Sequence, residues 1–387
     1  MIATHLIQCV RDIYGAEHPV PLHRPVFAGS ERQDLVDCID SNFVSSVGEK
    51  VTEFERRVAE FTGTRFGVAV VNGTNALQVA LRLVGVAPNT EVITQALTFV
   101  ATCNAIAYAG AEPVLLDVDR ATLGLSPDAL EAFLHEHGER RDGGCYNRST
   151  GRRIAACQPM HTFGHPVRID EIARICQDWG IPLVEDAAES LGSLYQDRHT
   201  GAFGRLGVFS FNGNKIITTG GGGMIVTDDE ALARRAKHLT TTARADNTYE
   251  YIHDELGYNF RMPNLNAALG CAQMDQLPGF LSAKRALAEG YRDFCDQHGI
   301  EFVTEPAGAR SNHWLNAVVL DSRADRDAFL QETNNNGIMT RPIWRLMSKL
   351  SMYAHCQQDA LATAQWLEDR VVNLPSSVPN AQAGEGS

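Results

Sequence analysis

The run FSFNGNKIITTGGGG, residues 209–223, decides how the chain is read. A strand-like aromatic stretch enters a polar turn, the turn carries Lys215, and four glycines follow at 220–223. Three readings of Lys215 compete. A phosphate-binding lysine needs the spacing GxxxxGK[ST], and here the glycines mostly follow the lysine, so that reading fails. The glycine run does not fit GxGxxG between a strand and a helix either. The bland reading is a surface charge beside a flexible loop. The third is a reactive amine. Little other charge lies nearby, and partial desolvation favours the neutral, nucleophilic form of a lysine.

Outward from this run, short apolar stretches read as buried strands: FGVAVV (66–71), EVITQ (91–95), EPVLLDVD (112–119), RIAACQPM (153–160), IPLVEDA (181–187) and GVFSFN (207–212). Helix-like segments separate most of them, for instance ALQVALRLVG ending at Gly85. Strands hidden on both faces and joined through helices make a mostly parallel sheet with helices on both sides, an α/β class. This predicts an N-terminal arm and large sheet domain over 1–265, with its central unit from about 45, and a small C-terminal α+β domain over 266–387. The stretch 263–299 reads as a long helical region interrupted near Pro278. GERRDGGCYNRSTGRR (138–153) reads as an inserted polar loop, and NAQAGEGS (380–387) as a frayed tail.

Composition narrows the function. With 47 acidic against 34 basic side chains, the net charge of −13 disfavours nonspecific binding to nucleic acid or anionic membrane. Nine scattered cysteines without a CxxC pair suggest reduced thiols in a cytoplasmic protein. The first dozen residues lack the layout of a signal peptide, and no run of about 20 apolar residues offers a membrane span. The two histidines of HTFGH (161–165) are four apart, but Gly164 and Pro166 break any helix that would align them, so no metal site is expected.

A reactive lysine needs a carbonyl partner, and in an α/β enzyme pyridoxal phosphate is the common one. That cofactor asks for a lysine, an acid against its pyridine nitrogen, a ring stacker and a phosphate cup. Asp186, at the end of an apolar strand, supplies the acid where open sheets present ligand-facing groups; taken alone it reads equally well as a helix cap. NGTNALQVAL (72–81) turns straight into a helix, so backbone N–H groups and the helix dipole converge on an anion, with Gly73, Thr74 and Asn75 at the turn. An ordinary N-cap would look the same. Phe99 follows another strand end and suits a ring stacker, although as a single residue it suits a core equally.

Taken together, NGTNAL, ALTFVAT, GAEPVLLDVD, HTFGHPVRID, VEDAAESLGS, FSFNGNKIITTGGGG and GYNFRMPNLNAALG resemble, in order, the DegT/DnrJ/EryC1/StrS sugar aminotransferases over nearly the whole chain. The resemblance implies the pyridoxal-phosphate-dependent transferase fold type I. It also implies roles: Lys215 as the lysine that bonds the cofactor's aldehyde and shuttles the proton, Asp186 as partner of the pyridinium, and Phe99 as the stacker. Gly73, Thr74 and Asn75 form the phosphate turn, and Ser210 is a second phosphate ligand. Asn259, in GYNFRMPN, matches a residue that reaches the neighbouring subunit's phosphate, which implies a homodimer with shared active sites. Glu189 stands where many relatives carry His or Gln beside the cofactor, and Asn75 replaces a commoner small residue.

Within the family, SNFVSSVGEKVTEFE, KHLTTTAR, HDELGYNFRMPN and RPIWRLMSKL look most like the enzymes of legionaminic acid synthesis. Those aminate C4 of a UDP-2-acetamido-4-keto-2,4,6-trideoxyhexose with L-glutamate as donor and 2-oxoglutarate as product. A bacillosamine-type product is an alternative destination. Other readings stay open: a noncatalytic regulatory protein that binds the cofactor, or an aminotransferase for amino acids alone, which would want Arg261 or Arg341 for an α-carboxylate.

Overall fold

The apolar runs form a sheet because each is a short, largely apolar stretch without regular polar alternation, so both faces must be covered. In the computed structural model, which describes residues 2–15, 19–141, 143–247 and 249–379, the six runs become six strands and GMIVT (223–227) adds a seventh. These are β1 (Phe66–Val70), β2 (Glu91–Gln95), β3 (Glu112–Leu116), β4 (Arg153–Gln158), β5 (Val184–Asp186), β6 (Leu206–Ser210) and β7 (Gly223–Thr227). The tail expected at 380–387 lies outside the described residues.

From edge to edge the strands run β3, β2, β4, β5, β6, β7, β1, with β4 and β5 joined by the parallel bridges Cys157–Leu183 and Met160–Asp186. Pairing is parallel throughout except for β7, which lies antiparallel to both β6 and β1. The cause is local. Residues 211–222 contain Lys215 and the glycines but no crossover helix, so the chain returns beside β6 in the opposite direction. Gly223 must be bare there, because a Cβ would stand 2.6 Å from the backbone carbonyl of Asn72.

The helix Gly73–Leu83 is capped by Asn72, whose side chain accepts the Asn75 N–H at 2.8 Å. It buries Ala76, Leu77, Val79, Ala80 and Leu81 on the sheet. Its N-terminus and that of Val100–Tyr108 follow β1 and β2, so both open at the carboxyl ends of the strands.

Two expectations need correction. The tract 138–153 is a hairpin rather than a loop: Gly138–Arg141 pairs with Gly144–Asn147, which pairs onto β4 through Cys145–Ile154. Cys145 and Asn147 alternate inward, and Asn147 donates to Glu91 at 2.8 Å, a period-two pattern hidden among glycines and arginines. The long helix is also unbroken. Asn264–His298 runs through Pro278, where one backbone bond is lost at a cost of about 3 kcal/mol. The flanking Met274, Leu277 and Phe280 are buried, and their burial offsets that cost.

The first half of this helix packs on Glu31–Asp40 and Glu49–Thr62. Its second half lies under a four-stranded antiparallel sheet ordered Glu301–Phe302, Asn316–Val319, Val371–Leu374, Arg341–Pro342. The N-terminal helix Ile2–Tyr14 shares this second core, where Leu6 and Val10 join Tyr291, Phe329 and Val372. No helix among the described residues is long and apolar enough to cross a membrane.

Candidate active site

A cavity of about 670 Å³ opens where β5 and β6 end and the small sheet closes over them. Lys215 reaches it from the turn after β6, with its backbone N–H bonded to the Asn212 carbonyl at 3.0 Å. Its ammonium nitrogen is 3.2 Å from Glu189 Oε1 and 4.0 Å from the centre of the Trp314 ring. The surface-charge reading of Lys215 therefore fails, since its side chain is only 11% exposed.

Glu189 is buried, and its other oxygen accepts the Phe163 N–H at 2.9 Å. Burial pushes its carboxyl up to about 7, and Lys215 and the Phe163 N–H only partly oppose this. Asp186 is buried on the same wall. It accepts from the Thr102 hydroxyl at 2.8 Å and the Ala188 N–H at 3.2 Å, and burial raises its pKa above the ordinary carboxylate value. Thr102 lies in the first turn of Val100–Tyr108, just after Phe99. Phe99 itself is 47% exposed and lines the cavity, so it is not a core residue.

The residues expected to form the anion cup line the same cavity. Gly73 and Thr74 line the cavity with Ser210, and a Cβ on Gly73 would lie 2.9 Å from the Ser210 Cβ. That approach brings a helix N-terminus and a hydroxyl to one point, a donor set that fits a phosphate. Asn75 is one residue deeper in the helix and does not line the cavity; its N–H is taken by Asn72. Asn259 lies outside the cavity, exposed, with its side-chain oxygen accepting from Arg261 at 3.1 Å. Neither it nor Arg261 joins the other residues within one chain.

Several lining residues carry no signal that single-sequence reading detects. Trp314 donates its indole N–H to the Asn214 carbonyl at 2.7 Å, which fixes the ring one residue from Lys215. Trp344 stands between Phe99 and Phe163, with ring centres 6.2 and 5.0 Å away. Arg341 and Arg345 sit on the rim. The HTFGH histidines are buried apart from the cavity: His161 donates Nε2–H to Glu185 at 3.0 Å, and its Nδ1 accepts the Val167 N–H at 3.2 Å.

The DegT/DnrJ/EryC1/StrS aminotransferase family model matches residues 26–383. The chain belongs to this family. Relatives agree over about nine-tenths of the chain. EpsN of Bacillus subtilis (strain 168), named provisionally as a pyridoxal phosphate-dependent aminotransferase, is 36% identical over 92% of this chain and 90% of its own. The GDP-perosamine synthase of Escherichia coli O157:H7 is 32% identical over 94% and 95%. Among solved structures, the aminotransferase TlmJ from Streptoalloteichus hindustanus superposes with a TM-score of 0.83 at 28% identity, covering 92% and 93%. The DegT-family chain is thus a sugar aminotransferase of fold type I, as the sequence motifs implied.

Proposed function

We propose that this DegT-family, pyridoxal-phosphate-dependent aminotransferase moves an amino group from L-glutamate to C4 of a nucleotide-linked 4-keto-6-deoxy sugar. The favoured substrate is UDP-2-acetamido-4-keto-2,4,6-trideoxyhexose. The product would feed a surface glycan of the legionaminic acid or bacillosamine kind, made in the cytoplasm. The observation that carries the reading is the convergence of Lys215, Asp186, Phe99 and the Gly73–Ser210 cup on one cavity.

The cofactor, when bound, supplies an electron sink for the bond broken at the amino donor's α-carbon. Around it, Asp186 holds a proton at the ring nitrogen, and Thr102 keeps that carboxylate oriented. The turn of Gly73 and Thr74, with Ser210, holds the phosphate. Lys215, as general base and acid, would move the proton from the donor's α-carbon to the cofactor's C4′ in the first half-reaction and from there to C4 of the sugar in the second. Glu189, poised near neutrality beside it, takes or returns a proton at Lys215 Nζ.

Two guanidinium groups favour a phosphorylated substrate. Arg345 has no hydrogen-bond or ion-pair partner among the described residues, and Arg341 is bonded only to Asn334 and the Thr340 carbonyl. Both stand on the cavity rim of an otherwise acidic chain, a site that suits a diphosphate. A homodimer with shared sites completes the proposal. Ile39, Phe43 and Val47 are exposed on one short stretch, as are Tyr249, Tyr251 and Leu256 before Asn259, an apolar surface that a second copy would cover. The similarity to GDP-perosamine synthases favours a second reading, a GDP-linked keto-sugar.

Borohydride treatment of the yellow protein should fix the cofactor to the peptide containing Lys215. Incubation of UDP-, GDP- and dTDP-linked 4-amino sugars with 2-oxoglutarate should give turnover with the UDP sugar ahead. Equal rates on all three would remove the UDP assignment, and colourless protein that gains no visible band with added cofactor would remove the whole reading.

A further inference from the structure

Outside the described chemistry, the least expected side chain is Lys284, in the second half of the long helix. It is fully buried, 0% exposed, and no carboxylate lies within ion-pair distance of it among the described residues. An ammonium group taken out of water costs several kcal/mol unless every proton finds an acceptor. Lys284 meets that condition with three: the Trp314 carbonyl at 3.1 Å, the Ser376 carbonyl at 2.5 Å and His23 Nε2 at 3.0 Å. Burial still lowers its pKa to about 7. With Nε2 accepting, the His23 proton sits on Nδ1, which has no partner among the described residues.

The three acceptors belong to separate segments, and each segment supplies a cavity wall. His23 follows Leu22, Ser376 lies three residues after Asn373, and Trp314 itself faces Lys215; all three neighbours line the cavity. The segments are also tied to one another. Ser376 N–H donates to the Leu22 carbonyl at 2.7 Å, and Asn316 N–H donates to the Ser376 hydroxyl at 2.8 Å. An apolar residue at 284 would fill the same space without holding any of these carbonyls.

We propose that Lys284 is a positioning residue for Lys215: its three hydrogen bonds lock Leu22, Trp314 and the 373–376 segment together, and Trp314 transmits that placement to the Lys215 amine. The inference rests on the reading of Lys215 as the reacting amine. The route is short. Lys284 holds the Trp314 backbone, the Trp314 indole N–H holds Asn214, and the indole face covers Lys215 Nζ.

The test is a double-mutant cycle on the full chain, freed of cofactor by incubation with L-glutamate followed by dialysis. Its readout is the rate at which an amine-acylating reagent modifies Lys215, followed by peptide mass spectrometry. Lys284→Met and Trp314→Leu should each change that rate by about threefold or more, and the double variant should match Trp314→Leu alone, as expected for residues in one network. A lower melting temperature with unchanged Lys215 labelling would make Lys284 merely structural and overturn the proposal; so would additive effects in the cycle. If Lys284→Met does not accumulate folded, His23→Leu removes one acceptor and keeps the ammonium. Altered labelling in that variant supports the proposal, and wild-type labelling overturns it. Because labelling needs no turnover, failure of the aminotransferase reading shows separately, as loss of 2-oxoglutarate formation by the wild-type holoenzyme.

Discussion

Replacing Glu189 with glutamine keeps the size of the side chain and removes its charge, and the structure gives the size of the effect. The carboxyl is raised from 4.5 to about 7, with burial as the largest cause. In the folded chain it therefore holds a proton over a range in which the unfolded chain has released it. A group with a raised folded pKa adds stability fully below its unfolded pKa and loses it as pH rises through the folded one. The window is pH 4.5 to 7, and a shift of this size is worth about 3 kcal/mol across it. Glutamine, which cannot ionise, is free of that loss. Its carbonyl can still accept the Phe163 N–H, but its amide then meets the Lys215 ammonium donor to donor. Urea denaturation of the cofactor-free chain should thus show Glu189→Gln gaining about 2–3 kcal/mol on wild type between pH 5 and pH 8. Turnover should fall, because the carboxylate proposed to exchange a proton with Lys215 is gone, a trade of activity for stability common at sites. A difference between the two proteins that stays flat from pH 5 to 8 would mean that Glu189 ionises like a surface carboxylate, and the burial argument would fail.

Three further outcomes follow from the same geometry. Lys215→Ala should reduce transamination by on the order of 10²–10⁴ or more, measured as 2-oxoglutarate release, while leaving the melting curve of the cofactor-free chain close to wild type. Arg345→Ala should raise KM for the nucleotide sugar by about tenfold, the worth of one charged hydrogen bond, with the glutamate half-reaction unchanged; an effect confined to glutamate would reassign this arginine to the α-carboxylate. Gly223→Ala drives a methyl group to 2.6 Å from the Asn72 backbone, which cannot swing aside, and should weaken cofactor binding as read by fluorescence titration.

The parts of the fold that were legible are those whose signal is local. Six apolar runs announced six of the seven strands, since burial on both faces leaves an unbroken hydrophobic stretch. β7 was hidden because GMIVT follows the glycine run directly, and only its pairing with β1 and β6 reveals it as a strand. The hairpin at 138–147 was missed for a different reason: its inward residues are Cys145 and Asn147, one of them polar, so alternation does not show as hydrophobicity. In the site, Asp186 is legible because it ends a strand, and Lys215 because it sits in a polar turn between a strand and a glycine run. Trp314, Trp344, Arg345 and Lys284 come from the C-terminal third of the chain, and nothing local distinguishes a tryptophan that covers Lys215 from one in a core.

The adjacent pair Glu185 and Asp186 shows how one strand serves structure and chemistry at once. Successive side chains in β5 point to opposite faces, so two buried acids in sequence go to two different environments. Glu185 meets a full set of donors: His161 at 3.0 Å and the N–H groups of Gly201, Phe203 and Gly204 at 2.6–2.7 Å. With four donors on two oxygens, it is complete, and it pins the segment that leads from β5 to β6. Asp186 has two donors, Thr102 and Ala188, and its remaining lone pairs face the cavity unspent. A buried carboxylate in that condition is costly to keep unless a ligand supplies the missing proton donor, and a protonated ring nitrogen is such a donor. Asp186→Asn and Glu185→Gln should therefore act differently. The first should leave the cofactor-free chain stable and weaken cofactor binding, because an asparagine oxygen can accept the Ala188 N–H while its amide donates to the Thr102 hydroxyl, but it cannot hold the ring proton. The second should unsettle folding itself, because an amide nitrogen would face backbone N–H groups that now have a carboxylate oxygen. Melting curves with and without cofactor separate the two, and a Glu185→Gln chain as stable as wild type would show that this carboxylate is not the anchor its four donors imply.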